Sequence, residues 1–143
     1  MIFEPEAEER AGLVVIQNDA HQLRLECSRE ASGRMCIECI STRLHIEGGK
    51  QYFEEQSHGK VHFAMNKVND WYLKIIGNET SYNFYAGNQE NEMEMVAEQV
   101  DGSFLGTESS GGFIGAYIGM YASGVKETKE KYVAYDWFSY KGV

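Results

Sequence analysis

The chain has 143 residues with a formal net charge of −9, a size that suits one domain with its own core. The negative balance argues against nucleic-acid and anionic-membrane partners, since both are recognised by basic patches. No apolar run approaches the length of a membrane span.

Residues 3–10 are acidic and polar, where a secretory leader would be basic and then apolar, so the expected location is the cytoplasm. Residues 12–17 form a β-branched apolar run of strand length, and Asn18-Asp19 is a turn signal. Residues 22–28 alternate, with Leu23, Leu25 and Cys27 on one face. After a turn at Ser32-Gly33, residues 35–44 make the next strand, and Glu47-Gly48-Gly49 reads as a loop. Residues 60–65 alternate through Val61, Phe63 and Met65, and residues 71–76 through Trp71, Leu73 and Ile75. Residues 81–86 carry Tyr82 and Phe84 on one face, and a strand is placed around 94–97 within an acidic segment. Phe104-Leu105 opens a short helical turn or a loop.

The stretch from Gly111 to Gly124 alternates most strictly and is read as the central strand over 113–121. Ile114, Ala116, Ile118, Met120 and Ala122 make one face, expected to be aliphatic core. Phe113, Gly115, Tyr117, Gly119 and Tyr121 make the other, where glycines leave troughs beside the rings. Glycine weakens a strand unless something approaches closely, such as packed protein or a flat ligand like a sugar. Tyr117 and Tyr121 are therefore candidate sugar-stacking residues, beside the plainer reading of packed aromatics. After a charged loop tip at 125–131, residues 132–140 are read as a closing strand, with Asp136 in largely buried surroundings.

Short alternating strands at spacings near ten residues, with fifteen Gly supplying turns, indicate an all-β sandwich or barrel in one domain, 1–143. Three cysteines, an odd number without a leader, read as reduced thiols. Cys36 and Cys39 form a Cys-x-x-Cys, but on a strand residues three apart face opposite sides, so neither a metal site nor a mutual disulfide is expected. His21, His45, His58 and His62 are scattered and expected at edges or in solvent. No nucleophile elbow, phosphate loop, zinc motif or dinucleotide fingerprint occurs, and no cofactor is expected. The acidic runs read as solvated faces rather than as the carboxylate pair a glycosidase needs.

Several stretches together carry a resemblance: Ala11 to Asn18 (AGLVVIQN), Trp71 to Asn78 (WYLKIIGN), Tyr82 to Tyr85 (YNFY), Val100 to Gly106 (VDGSFLG), Gly112 to Gly119 (GFIGAYIG) and Tyr135 to Gly142 (YDWFSYKG). In this order they resemble the C-terminal domain of the β-xylosidases of glycoside hydrolase family 43. The resemblance implies a concanavalin A-like jelly-roll β-sandwich of two antiparallel sheets. It also implies a partner, the five-bladed catalytic propeller that carries the carboxylates, acting on xylo-oligosaccharide. A homo-oligomer is expected as well. Phe113 matches the family's aromatic at the rim of the active site. The family domain has further strands before the stretch like Phe3 to Gly12, which are expected to be missing here, and a longer loop after Ser123-Gly124. On this reading the chain is an accessory domain without catalysis of its own; the alternatives are an independent carbohydrate-binding module and a structural oligomerisation domain.

Overall fold

The computed structural model describes residues 1–64, 70–106, 115–124 and 131–142. Among the described residues there are eight strands: β1 (Arg10–Asn18), β2 (His21–Arg29), β3 (Met35–Glu47), β4 (Lys50–Phe63), β5 (Tyr72–Asn78), β6 (Ser81–Gln89), β7 (Glu92–Asp101) and β8 (Tyr117–Ser123). A 3-10 turn, Ser103–Leu105, stands where a short helical turn or a loop was expected.

The strands form two antiparallel sheets among the described residues, one in the order β4-β3-β2-β1-β8 and the other in the order β5-β6-β7. Side-chain alternation decides how they face. Leu23, Leu25 and Cys27 of β2 are wholly buried, as are Ile37 and Cys39 beside them on β3 and Ala11 and Val15 on β1. Against them pack Phe84 and Ala86 of β6, Val96 and Ala97 of β7, and Trp71, Phe104 and Leu105 from the loops. Trp71 is held from two sides: its indole N–H donates to the Phe3 carbonyl at 2.9 Å, and its ring meets Phe63 edge-on at 5.0 Å.

Turn chemistry sets the hairpin registers. Gly48 and Gly49, both at positive φ, close β3 onto β4 with Glu47 opposite Lys50. Two successive positive-φ residues match the right-handed twist of the flanking strands. This hairpin runs past the end of β2, which pairs with β3 only as far as Thr42. Residues 43–54 therefore extend beyond β2 as a hairpin whose two strands pair with each other, tied at its base by Arg43 to Asp101 at 3.4 Å, and Ile46 and Phe53 on it are exposed.

Four expectations need correction. The strand around Gly111–Gly124 is not central: β8 is the edge of the five-stranded sheet, and its described length begins at Tyr117. Phe113 and Ile114 lie outside the described residues. Its aliphatic face was correctly sided, since Ile118 and Met120 stand opposite Val15 and Leu13 of the core face, yet they are 40% and 45% exposed. The second sheet has three strands, with β5 over β1 and β7 over β3 and β4, so β8 lies beyond the layer that would cover it. Residues 132–140 form no strand; the segment makes one bridge, Ala134 to Ile2, and Asp136 is exposed. Residues 50–59, unassigned from sequence, are the first part of β4.

Candidate functional site on the outer face of the large sheet

Because side chains alternate, the five-stranded sheet presents a second face away from the core. Register places its residues in rows across the strands. One row reads Tyr117, Ile16, Gln22, Thr42, Glu55; the next Gly119, Val14, Arg24, Ile40, Ser57; the next Tyr121, Gly12, Glu26, Glu38, Lys60. Apolar groups lie near β8 and polar ones toward β4.

Glu26 is the centre of this face. It is only 2% exposed although it lies on the side opposite the core. Arg10 Nη1 donates to its Oε1 at 2.9 Å and Arg24 Nε to its Oε2 at 3.2 Å. The Tyr121 hydroxyl donates to the same carboxylate. A buried carboxylate without such partners would be strongly unfavourable. Tyr121 reaches it across β1 at Gly12, the one position in that row without a side chain. A Cβ there would collide with the Leu25 carbonyl, so glycine is required. Burial and the neighbouring Glu26 charge push the Tyr121 hydroxyl far above its ordinary range, so it stays a donor.

Arg24 continues the network toward β4. Its Nη1 donates to Thr42 Oγ1 at 2.8 Å and its Nη2 to Glu55 Oε1 at 2.6 Å. Burial works against its charge, but the hydrogen bond to Glu55 and the nearby Glu26 keep its pKa raised. The hydrogen bond from Arg24 likewise holds Glu55 below the usual carboxylate range. The result is a polar surface whose positive and negative groups are paired and fixed in direction.

Beside it stands Tyr117, 61% exposed, between Gly115 and Gly119. No heavy atom comes within 4 Å of where a Cβ would stand at either glycine. The troughs expected from sequence therefore exist along this ring. Tyr121 differs from Tyr117, its ring being half-buried and its hydroxyl committed to Glu26.

The remaining candidates are dispersed. Cys27 and Cys39 are buried in the core, each with its pKa pushed up to about 12 by burial, while Cys36 faces the other way against Ser28 Oγ at 3.3 Å. All three thiols are free, and among the described residues no three His, Cys, Asp or Glu gather as metal ligands. His58 is half-buried against Ser41 Oγ at 2.8 Å, whereas His62 pairs with Glu30 at 3.2 Å on the surface. A second concavity, of about 650 Å³, lies between the N-terminal segment and residues 131–134. Its cations are already engaged, Arg29 with Glu4 at 3.5 Å and Lys131 with Glu6 and Glu9 at 3.0 Å each.

The model of the β-xylosidase C-terminal concanavalin A-like domain matches residues 1–141. The chain belongs to this family. A curated relative, a xylosidase/arabinosidase of Butyrivibrio fibrisolvens, is 30% identical over 138 residues, which is 94% of this chain and 24% of that protein. Among solved structures, the family 43 protein BlXynB of Bacillus licheniformis superposes with a TM-score of 0.69 at 23% identity, over 88% of this chain and 23% of that one. The xylan β-1,4-xylosidase of Bacillus halodurans C-125 gives the same TM-score and identity over 89% and 24%. The chain thus spans about a quarter of the length of these proteins.

As a member of this family the chain is a concanavalin A-like sandwich of the kind found at the C-terminus of β-xylosidases. No described helix is long and apolar enough to cross a membrane. Sequence reasoning missed the Glu26 network, because its partners stand as far as 95 residues apart along the chain. The one available signal was the alternation of Gln22, Arg24 and Glu26 against Leu23, Leu25 and Cys27.

Proposed function

We propose that the chain serves as the accessory domain of a xylosidase/arabinosidase-type glycoside hydrolase, packing against a catalytic propeller and performing no hydrolysis itself. The observation that carries this reading is the apolar flank along β8. Ile118 and Met120 lie uncovered on the core-facing side of that edge, and Trp137, Phe138 and Tyr140 of the C-terminal segment are exposed too. An apolar surface of this kind marks a protein contact, and domain interfaces are where it is ordinarily covered. Phe113, outside the described residues, precedes this edge by four positions from Tyr117 and is the residue proposed for the rim of the active site. There a ring would exclude water and stack on the bound xylo-oligosaccharide.

The test is a domain exchange. The Butyrivibrio xylosidase/arabinosidase would be truncated before its matched C-terminal quarter and supplied with this chain, fused or in trans. Restored release of chromophore from an aryl xyloside or arabinoside, lowered by Phe113→Ala with the fold intact, is the expected result. Equal activity with and without the chain would overturn the reading, as would hydrolysis by the chain alone that one carboxylate substitution abolishes.

A further inference from the structure

We propose that the outer face of the five-stranded sheet is a binding platform for an uncharged oligosaccharide, with Tyr117 as its stacking ring and the Arg24-centred network as its hydrogen-bonding part. This site faces away from the core and does not depend on the apolar flank that the domain-packing reading uses.

Three observations converge. The first is shape: Tyr117 is mostly exposed and stands between two glycines with open space above each. A flat ring can approach either side of it without displacing a side chain. The C–H face of a pyranose is apolar and meets the electron-rich face of a tyrosine, while its hydroxyls point outward toward polar partners. The second is the distribution of polar groups. Gln22, Thr42 and Glu55 lie in the same row as Tyr117, two, three and four strands away. At the usual strand spacing this is about 10 to 19 Å, the reach of a short oligosaccharide laid across the sheet.

The third is charge. Arg10 and Arg24 are matched by Glu26 and Glu55 within the face itself, so the surface is rich in fixed donors and acceptors but carries little net charge. That complements a neutral, hydroxyl-bearing ligand better than a phosphate or an acidic peptide. A protein partner would favour a broad apolar core at the contact. Here Val14 and Ile40 are already buried, and in these rows Tyr117 is the one large exposed apolar side chain. Preorganisation also favours binding. Arg24 cannot swing away while it is held by Glu26, Thr42 and Glu55, so little side-chain freedom is lost when a ligand arrives.

The test uses the chain itself with soluble xylan, arabinoxylan, mixed-linkage glucan and galactomannan in affinity electrophoresis, followed by calorimetry with the matching oligosaccharide. Retardation by at least one neutral polysaccharide is expected. Tyr117→Ala should weaken binding by tenfold or more. Gly119→Leu, which fills the trough where there is room for a side chain, should weaken it comparably while unfolding at the wild-type temperature. Phe53→Ala, on the hairpin beyond β2, should bind as wild type does. The proposal is overturned if no polysaccharide retards the chain, or if both platform variants bind like wild type. It is equally overturned if sedimentation shows self-association that Tyr117→Ala abolishes, since the face would then be a contact between copies. Because xylosidase reconstitution is read separately, failure here and failure of the domain-packing reading are distinguishable.

Discussion

The two flanks of the sandwich are built differently. On the β4 flank the sheets close on each other. Gly59 of β4 sits so near β7 that a Cβ would strike the Val96 carbonyl, and Arg43 lies over the Phe104 ring at 3.9 Å. On the β8 flank the large sheet continues beyond its cover. Here β8 is held by its ladder to β1, by the Tyr121–Glu26 hydrogen bond, and by the Tyr135 hydroxyl, whose one proton is shared between the Gly12 carbonyl at 2.9 Å and the Tyr121 carbonyl at 2.8 Å. One flank is secured by packing and the other by directional polar contacts. A surface left apolar yet tied down in this way is held in shape for a partner, and the propeller is the partner proposed.

The comparison can be broken most severely at Glu26. Glu26→Ala would leave the half-buried Arg24 guanidinium with Glu55 as its remaining acidic partner and strip the Tyr121 hydroxyl of its acceptor, with an expected loss of about 3–5 kcal/mol in a urea titration. A loss within error would mean the network does not hold β8. Next in size is Gly59→Val on the closed flank. The added side chain must push β7 backbone away, costing about 2–4 kcal/mol; a wild-type midpoint would show that the sheets are not in contact there.

Alkali sharpens the contrast. Burial raises the Tyr135 pKa to about 12, against about 10 for an unfolded tyrosine. A raised folded pKa means that its contribution is fully present below pH about 10 and is lost as pH rises toward 12. Burial also raises the Cys27 and Cys39 thiols of the core to about 12, so they lose their contribution across the same rise, and substitution isolates the Tyr135 share: Tyr135→Phe should lose less stability than the wild type between pH about 10 and 12 in a urea titration. Equal losses in the two proteins would contradict it. The smallest effect is expected at Ile118. Ile118→Ala in the isolated chain should cost less than about 1 kcal/mol, because a side chain 40% exposed has little burial to lose. A loss of about 2–5 kcal/mol, typical of a buried aliphatic, would show that this face is covered after all.

Ile118 also shows where the sequence stops being informative. Alternation correctly identified which side of β8 faces inward, but whether that side is covered depends on how far the opposite sheet extends, which no local pattern encodes. Strands β1, β2 and β6 were legible because each buries one face against the core. The first half of β4 was not, because Lys50 to Ser57 are exposed throughout and alternation has no burial to report. Residues 132–140 alternate as a strand does, but among the described residues the segment bridges Ile2 alone, and Tyr132, Trp137, Phe138 and Tyr140 are exposed. The same division holds for the site. The glycine-flanked Tyr117 was readable from spacing, whereas Glu26 needed the fold to bring Arg10, Arg24 and Tyr121 to it.

Hydrogen exchange tests the central claim most directly, comparing the chain alone with the chain fused behind a family 43 catalytic domain. The account predicts that protection of residues 117–123 and 137–140 rises at least tenfold in the fusion while β2 and β3 stay unchanged. Equal protection of those residues in both proteins would contradict it, because the apolar flank would then have no catalytic domain lying against it.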